Sequence, residues 1–121
     1  MSKRILLVED QPDNRQIIRD LLAATDYELT EAENGELALA AVAKQRPDLI
    51  LMDIQLPVMD GYETTRRIKA DPALRSIPII AVTSYALSGE EQKARAAGCD
   101  GYVTKPYSPR LLLARIREFL P

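Results

Sequence analysis

Leu49-Ile50-Leu51-Met52-Asp53-Ile54-Gln55-Leu56-Pro57 opens with an unbroken apolar run that stops at a carboxylate. A strand that is apolar at every position, rather than at every second one, is buried on both faces, as in a parallel sheet covered by helices on either side. A second such run, Ile5-Leu6-Leu7-Val8, stops at Glu9-Asp10, and others recur at 77–83 and, more weakly, at 102–104. The segment 27–32, Tyr-Glu-Leu-Thr-Glu-Ala, alternates apolar and polar residues and reads as a sheet-edge strand. Between the strands, apolar residues follow helical spacing: Ile17, Ile18, Leu21 and Leu22; Leu37, Leu39, Ala40, Ala41 and Val42; Ile68; and Leu111, Leu112, Ile116 and Phe119.

Boundary residues divide the chain in the same places. Pro12 suits the first position of a helix, and Asn34 suits the cap of the next, with Glu36 in its first turn. Pro47-Asp48 closes that second helix, Asp60-Gly61 marks a loop before the third, and Asp71-Pro72 ends it. Ser88 with Glu90 and Glu91 reads as the N-terminal turn of the fourth helix, which Gly98 ends. Strands alternating with amphipathic helices predict an α/β fold, a doubly wound five-stranded parallel sheet with five helices joined by right-handed crossovers. Ligands of such folds bind beyond the carboxyl ends of the strands, where the winding reverses.

The 121 residues fit one domain, 1–121, and suffice for a proper core. With 46% hydrophobic residues, 28% charged and a net charge of -2, the chain is neither disordered nor basic enough to indicate a nucleic-acid partner. No apolar stretch approaches the roughly 18 to 20 residues of a membrane span, and the few apolar residues after Met1-Ser2-Lys3-Arg4 do not make a signal peptide. Cys99 is the only cysteine and there is no histidine, which excludes an internal disulfide and a Cys/His zinc or nucleophile-base site. A reducing, cytoplasmic setting is expected, and Cys99 reads as a small packing residue.

Glu9, Asp10 and Asp53 therefore meet at one sheet edge. Close carboxylates in a partly buried site repel one another by several kcal/mol, and Mg²⁺, which takes one or two carboxylates and keeps several waters, is a common remedy. Thr83 after the fourth strand and Lys105-Pro106 after the fifth bring a hydroxyl and an ammonium to the same edge. Those two groups suit a tetrahedral phosphoryl group. A carboxylate that attacks phosphorus gives an acyl phosphate.

Val8-Glu9-Asp10, Leu51 through Gly61, Val82-Thr83-Ser84 and Tyr102-Val103-Thr104-Lys105-Pro106 stand in order at the ends of strands one, three, four and five. With them the chain resembles, throughout its length, the response-regulator receiver domains, the CheY-like phosphoacceptors of two-component signalling. The resemblance implies a flavodoxin-like strand order 2-1-3-4-5 and Asp53 as phosphoacceptor. Its implied Mg²⁺ ligands are Asp10, Asp53 and the backbone carbonyl of Gln55, with Glu9 helping to hold the metal. Thr83 and Lys105 are implied to contact the phosphoryl oxygens, Thr83 and Tyr102 to move as one switch, and Lys105-Pro106 to be a cis bond. The resemblance also implies that Gln55 and Tyr85, two residues beyond the phosphoacceptor and the threonine, tune hydrolysis of the acyl phosphate.

The implied partners are a histidine kinase or histidine phosphotransfer protein, with Gln11 and Asn14 beside the pocket as contacts, and a downstream protein bound through strands and helices four and five. No effector domain, nucleic acid, membrane or dimer is expected, and no enzyme activity beyond the chain's own phosphoryl transfer and dephosphorylation. A relay intermediate and a phosphate sink are alternatives within this reading. Two residues depart from the commonest pattern: Glu9 replaces a frequent aspartate, and Leu56 a frequent methionine.

Rival classes fit less well. Aspartate-nucleophile phosphatases place a second aspartate two residues on, where this chain has Gln55. A flavodoxin-like cofactor module needs a hydroxyl- or glycine-rich phosphate loop after the first strand, and Glu9-Asp10-Gln11-Pro12 would repel phosphate. Arg110, Arg115 and Arg117 mix with Glu118 and read as a solvated helix face rather than a nucleic-acid surface.

Overall fold

Each apolar run becomes a strand whose side chains alternate between two cores. In the computed structural model, which describes residues 2–84 and 89–121, β1 (Arg4–Val8), β2 (Glu28–Ala32), β3 (Leu49–Asp53), β4 (Ile79–Thr83) and β5 (Gly101–Thr104) form one sheet in the order β2-β1-β3-β4-β5. All four pairings are parallel. Leu6, Val8, Ile50, Met52, Ile79 and Ala81 face one core with residues of α2 (Gly35–Lys44), α3 (Gly61–Ala70) and α4 (Glu90–Ala97). Ile5, Leu7, Leu49, Leu51, Ile80 and Val103 face the other, against α1 (Pro12–Ala23) and α5 (Pro109–Phe119). The period of two along a strand thus supplies both layers.

The helix ends follow their capping chemistry. Pro12 opens α1; Asn34 accepts from the Leu37 amide at 2.9 Å and Ser108 from the Leu111 amide at 3.0 Å. Gly98 takes a left-handed φ of 115° and ends α4. The pair Asp60-Gly61, expected to mark a loop before the third helix, stands at that boundary: Asp60, still extended, accepts from the Glu63 amide at 2.9 Å as the cap of α3, and Gly61 is the first helical residue. A Cβ at Gly61 would lie 2.4 Å from the Asp53 carbonyl oxygen, so only glycine lets α3 start this close to the end of β3. The apolar run at 77 begins before its strand does. Pro78 has no N–H for the ladder, although its carbonyl accepts the Ile50 amide at 2.9 Å, and β4 starts one residue later.

Register levels the carboxyl ends of the strands. Val8 pairs with Met52, Asp53 with Val82 and Thr83 with Thr104. The winding reverses between β1 and β3, so Glu9 and Asp10 on one side and Asp53 on the other flank the reversal point. Among the described residues, no helix is long and apolar enough to cross a membrane.

Candidate functional site

Beyond Val8 the chain must leave the sheet and enter α1, and this turn fixes the first two acids. The Glu9 amide still donates to the Ala32 carbonyl at 3.0 Å, while the Gln11 amide turns back to Glu9 Oε2 at 3.1 Å. Asp53 is the last residue of β3, and its Oδ1 accepts the Gln55 amide at 3.1 Å. Glu9, Asp10 and Asp53 each offer a carboxylate oxygen within 4.8 Å of the others. Glu9 is 3% exposed and Asp53 5%, whereas Asp10 is half-buried.

The cation and hydroxyl expected from the sequence reach the same edge. Lys105 leaves β5 with its amide on the Thr83 carbonyl at 2.6 Å, is followed by a cis bond to Pro106, and extends Nζ to Glu9 Oε1 at 2.9 Å and Asp53 Oδ2 at 3.3 Å. Thr83 is fully buried, and its Oγ1 accepts from Gln55 Nε2 at 2.8 Å. Gln55 Oε1 in turn accepts the Ser84 amide at 3.2 Å, so one amide side chain ties the end of β3 to the end of β4. Asp10, Gln11, Asn14, Asp53, Gln55, Ser84 and Lys105 line an open cleft of about 280 Å³.

Charge balance in the cleft is uneven. Burial pushes the Asp53 carboxyl up to about 7, and the hydrogen bond and negative charge of Glu9 push the same way, against the pull of Lys105. Glu9 goes the other way: burial alone would raise it, but hydrogen bonds from Lys105, from the proton on Asp53 and from the Gln11 amide hold it below its ordinary value. Burial opposes the charge on Lys105 as well, and its contacts with Glu9 and Asp53 outweigh that and raise it. One ammonium thus faces two buried acids and a third beside them. Three hard carboxylate oxygens at this spacing, with Asp53 driven towards its neutral form, fit a small divalent cation that supplies the missing positive charge.

The structure therefore brings Glu9, Asp10, Asp53, Gln55, Thr83 and Lys105 together. Tyr102 lies on β5, half-buried against the core that holds α4. Near it, the Tyr62 hydroxyl donates to Glu90, and the Lys93 ammonium stands 5.0 Å from the Tyr62 ring centre. Gln11 Nε2 donates to Asp10 at 3.2 Å. Tyr85 lies outside the described residues, as does Ser88. Cys99 is buried against Thr65.

Two contributors escaped the sequence reading. The sequence points to the carbonyl and the position of Gln55, whereas its side chain makes the cross-strand tie. Arg15 carries no motif in the sequence, and its guanidinium reaches the carbonyls of both Glu9 and Asp10. Neither has a local signal: Gln55 acts on a strand end 28 positions away, and Arg15 acts on two backbone carbonyls, which any residue would present.

The sequence matches the response regulator receiver domain family over residues 5–117, and the chain belongs to that family. It is 44% identical over 120 residues to the polar-differentiation response regulator DivK of Brucella anthropi, covering 99% of this chain and 98% of that one. The receiver domain of the sensor histidine kinase PA1611 from Pseudomonas aeruginosa, solved with a magnesium ion coordinated in its active-site cleft, superposes with a TM-score of 0.91 at 38% identity, over 99% of this chain and 98% of that one. The chemotaxis response regulator CheY4 of Vibrio cholerae gives a TM-score of 0.92 at 29% identity, over 98% and 99% of the two chains. The chain is thus a receiver domain of two-component signalling.

Proposed function

We propose that Asp53 is the phosphoacceptor of this receiver, charged by a histidine kinase or histidine phosphotransfer protein, and that the acyl phosphate switches a protein-binding face. The observation that carries this is the Asp53 carboxylate, buried at the end of β3 with Lys105 Nζ 3.3 Å away and the Thr83 hydroxyl on the neighbouring strand end. One oxygen of ionised Asp53 attacks the phosphorus of a phosphohistidine whose other ring nitrogen carries a proton; the P–N bond breaks as the O–P bond forms, and the ring leaves as neutral imidazole. Lys105 shifts from the bare carboxylate to a phosphoryl oxygen, and Thr83 donates its hydroxyl to another. Asp10, Asp53 and the Gln55 carbonyl, helped by Glu9, would hold Mg²⁺, which when bound would offset charge on the phosphoryl oxygens.

Thr83 and Tyr102 form one two-state element, biased by the phosphoryl group and read on the surface of β4, β5, α4 and α5. Gln55, holding Thr83 at the rim of the cleft, and Tyr85 tune access of water to the acyl phosphate. Gln11 and Asn14 meet the phosphodonor, since both line the cleft at the start of α1. The chain acts as a cytoplasmic monomer and turns over no substrate besides its own phosphoryl group. Incubation with a labelled phosphorylated kinase domain and Mg²⁺ tests the reading: hydroxylamine-labile label is expected, and hydroxylamine-stable label would contradict it.

The proton on Asp53 makes cation binding depend on pH. A proton and a cation would compete for the Asp53 carboxylate, so Mg²⁺ affinity is expected to rise with pH up to about 7 and to flatten above. Linkage of one proton at this value gives roughly a tenfold gain between pH 6 and pH 8, measurable by calorimetric titration; an affinity independent of pH would contradict the assignment. The metal-free protein should run the opposite way. Between the ordinary aspartate value of 3.8 and about 7, the folded chain keeps a proton that the unfolded chain has lost, so stability falls as pH rises through that window. Glu9, held low, adds a stabilisation already complete above its ordinary value of 4.5.

A further inference from the structure

The turn from β1 into α1 leaves the carbonyls of Glu9 and Asp10 beyond the last paired residue of the strand, Val8. One guanidinium takes both: Arg15 Nη1 donates to the Glu9 oxygen at 3.0 Å and to the Asp10 oxygen at 3.1 Å. The side chain is only 14% exposed and is braced from behind, with Nε 3.4 Å from Glu31 and Nη2 3.9 Å from Glu33. Glu31 is itself gripped by Arg19 through two contacts of 2.8 and 3.0 Å. The Arg15 amide closes the first turn of α1 on the Gln11 carbonyl at 3.1 Å, so the root of the side chain is fixed as well.

We propose that Arg15 is a positioning residue for the cation site: by clamping the two peptide planes after β1, it aims the Glu9 and Asp10 carboxylates at Asp53. The inference rests on the reading of this cleft as a Mg²⁺ site. A planar guanidinium holds two carbonyls and a carboxylate in one fixed arrangement, which a compact ammonium on a flexible stem does not reproduce. Groups behind a metal's ligands typically change affinity 10- to 100-fold when removed.

The sign of the effect separates this role from the alternatives. Arg15 is a cation beside a cation site, so on charge alone its removal would tighten Mg²⁺ binding. A role in folding alone would lower stability and leave the affinity of the folded chain unchanged. The clamp requires the folded chain to bind more weakly.

The test is calorimetric titration of Mg²⁺ alone into the wild type, Arg15→Met and Arg15→Lys at pH 8, with urea unfolding in EDTA fixing the folded fraction of each. Arg15→Met is expected to weaken binding about tenfold, and Arg15→Lys, which keeps the charge and loses the fork, by a smaller factor of about three. Unchanged or tighter binding by folded Arg15→Met overturns the proposal. Should Arg15→Met not fold, Arg15→Lys decides on its own, and wild-type affinity there overturns the proposal. A wild type that binds no Mg²⁺ overturns the cation reading itself and the inference with it, whereas wild-type binding matched by both variants overturns the inference alone.

Discussion

Asp53→Asn is expected to reduce phosphate incorporation from a phosphorylated histidine donor to background while making the metal-free protein more stable at pH 8. The first effect follows from the chemistry of the nucleophile. An amide oxygen carries no charge to share with phosphorus, and no other carboxylate in the cleft stands in the same position: Glu9 is tied to Lys105 at 2.9 Å and to the Gln11 amide at 3.1 Å, and Asp10 lies outside the strand. The second effect follows from the raised Asp53 carboxyl, whose charged form the fold disfavours through burial and through Glu9. An asparagine resembles the protonated aspartate and also donates to Glu9, so about 1 kcal/mol or more of stability is expected. Urea unfolding in EDTA measures it. A variant that loses both label and stability would show that the fold had failed, whereas lost label with gained stability marks a residue kept for function at a cost to the fold.

Lys105→Met is expected to slow phosphoryl transfer by about 10²-fold or more, the scale of removing one charge-stabilising donor from a reaction site. The ammonium touches both buried acids, at 2.9 Å and 3.3 Å, and is the only Lys or Arg ion pair either of them makes among the described residues. Its loss leaves their repulsion unopposed, so Asp53 should bind its proton more tightly still and stability in EDTA should fall. Breaking a buried pair usually costs about 3–5 kcal/mol, but here the lysine is partly exposed and Asp53 can take up a proton, so about 1–3 kcal/mol is the expected range at pH 8. The loss should shrink at pH 5, where wild-type Asp53 is already protonated. Single-turnover labelling and urea unfolding at both pH values check the two halves. A transfer rate within threefold of wild type would remove Lys105 from the reaction.

The fold was legible where one residue decides one local question. Runs apolar at every position placed β1, β3 and β4, and alternation at 27–32 placed β2 at the sheet edge. Asn34 and Gly98 marked helix ends because their chemistry acts within a few residues of themselves. Asp60-Gly61 marked the loop before α3 by the same logic, to within one residue. A glycine before a helix pattern signals a loop, but here its bare Cα answers to the Asp53 carbonyl on another element.

The site shows the same division. Glu9, Asp10, Asp53, Thr83 and Lys105 were visible because strand ends in a parallel sheet share one edge, whatever the details of packing. The pairing of Glu9 with Lys105 was not visible, and neither was the Gln55 tie to Thr83 or the Arg15 clamp. The first two join residues distant in sequence, Lys105 and Glu9 by 96 positions and Gln55 and Thr83 by 28, and the third turns a side chain back on two backbone carbonyls that no residue pattern marks.

The most direct test is to locate the phosphoryl group on the protein. After reaction with a phosphorylated kinase domain in Mg²⁺, borohydride reduction converts an acyl phosphate to a stable alcohol that peptide mass spectrometry places on one residue. Conversion of Asp53 alone to the reduced side chain, absent when Mg²⁺ is chelated, is the expected result. Conversion at Glu9 or Asp10 instead, or phosphate found on a hydroxyl such as Thr83 or Ser84, would contradict the assignment of Asp53 as the covalent centre.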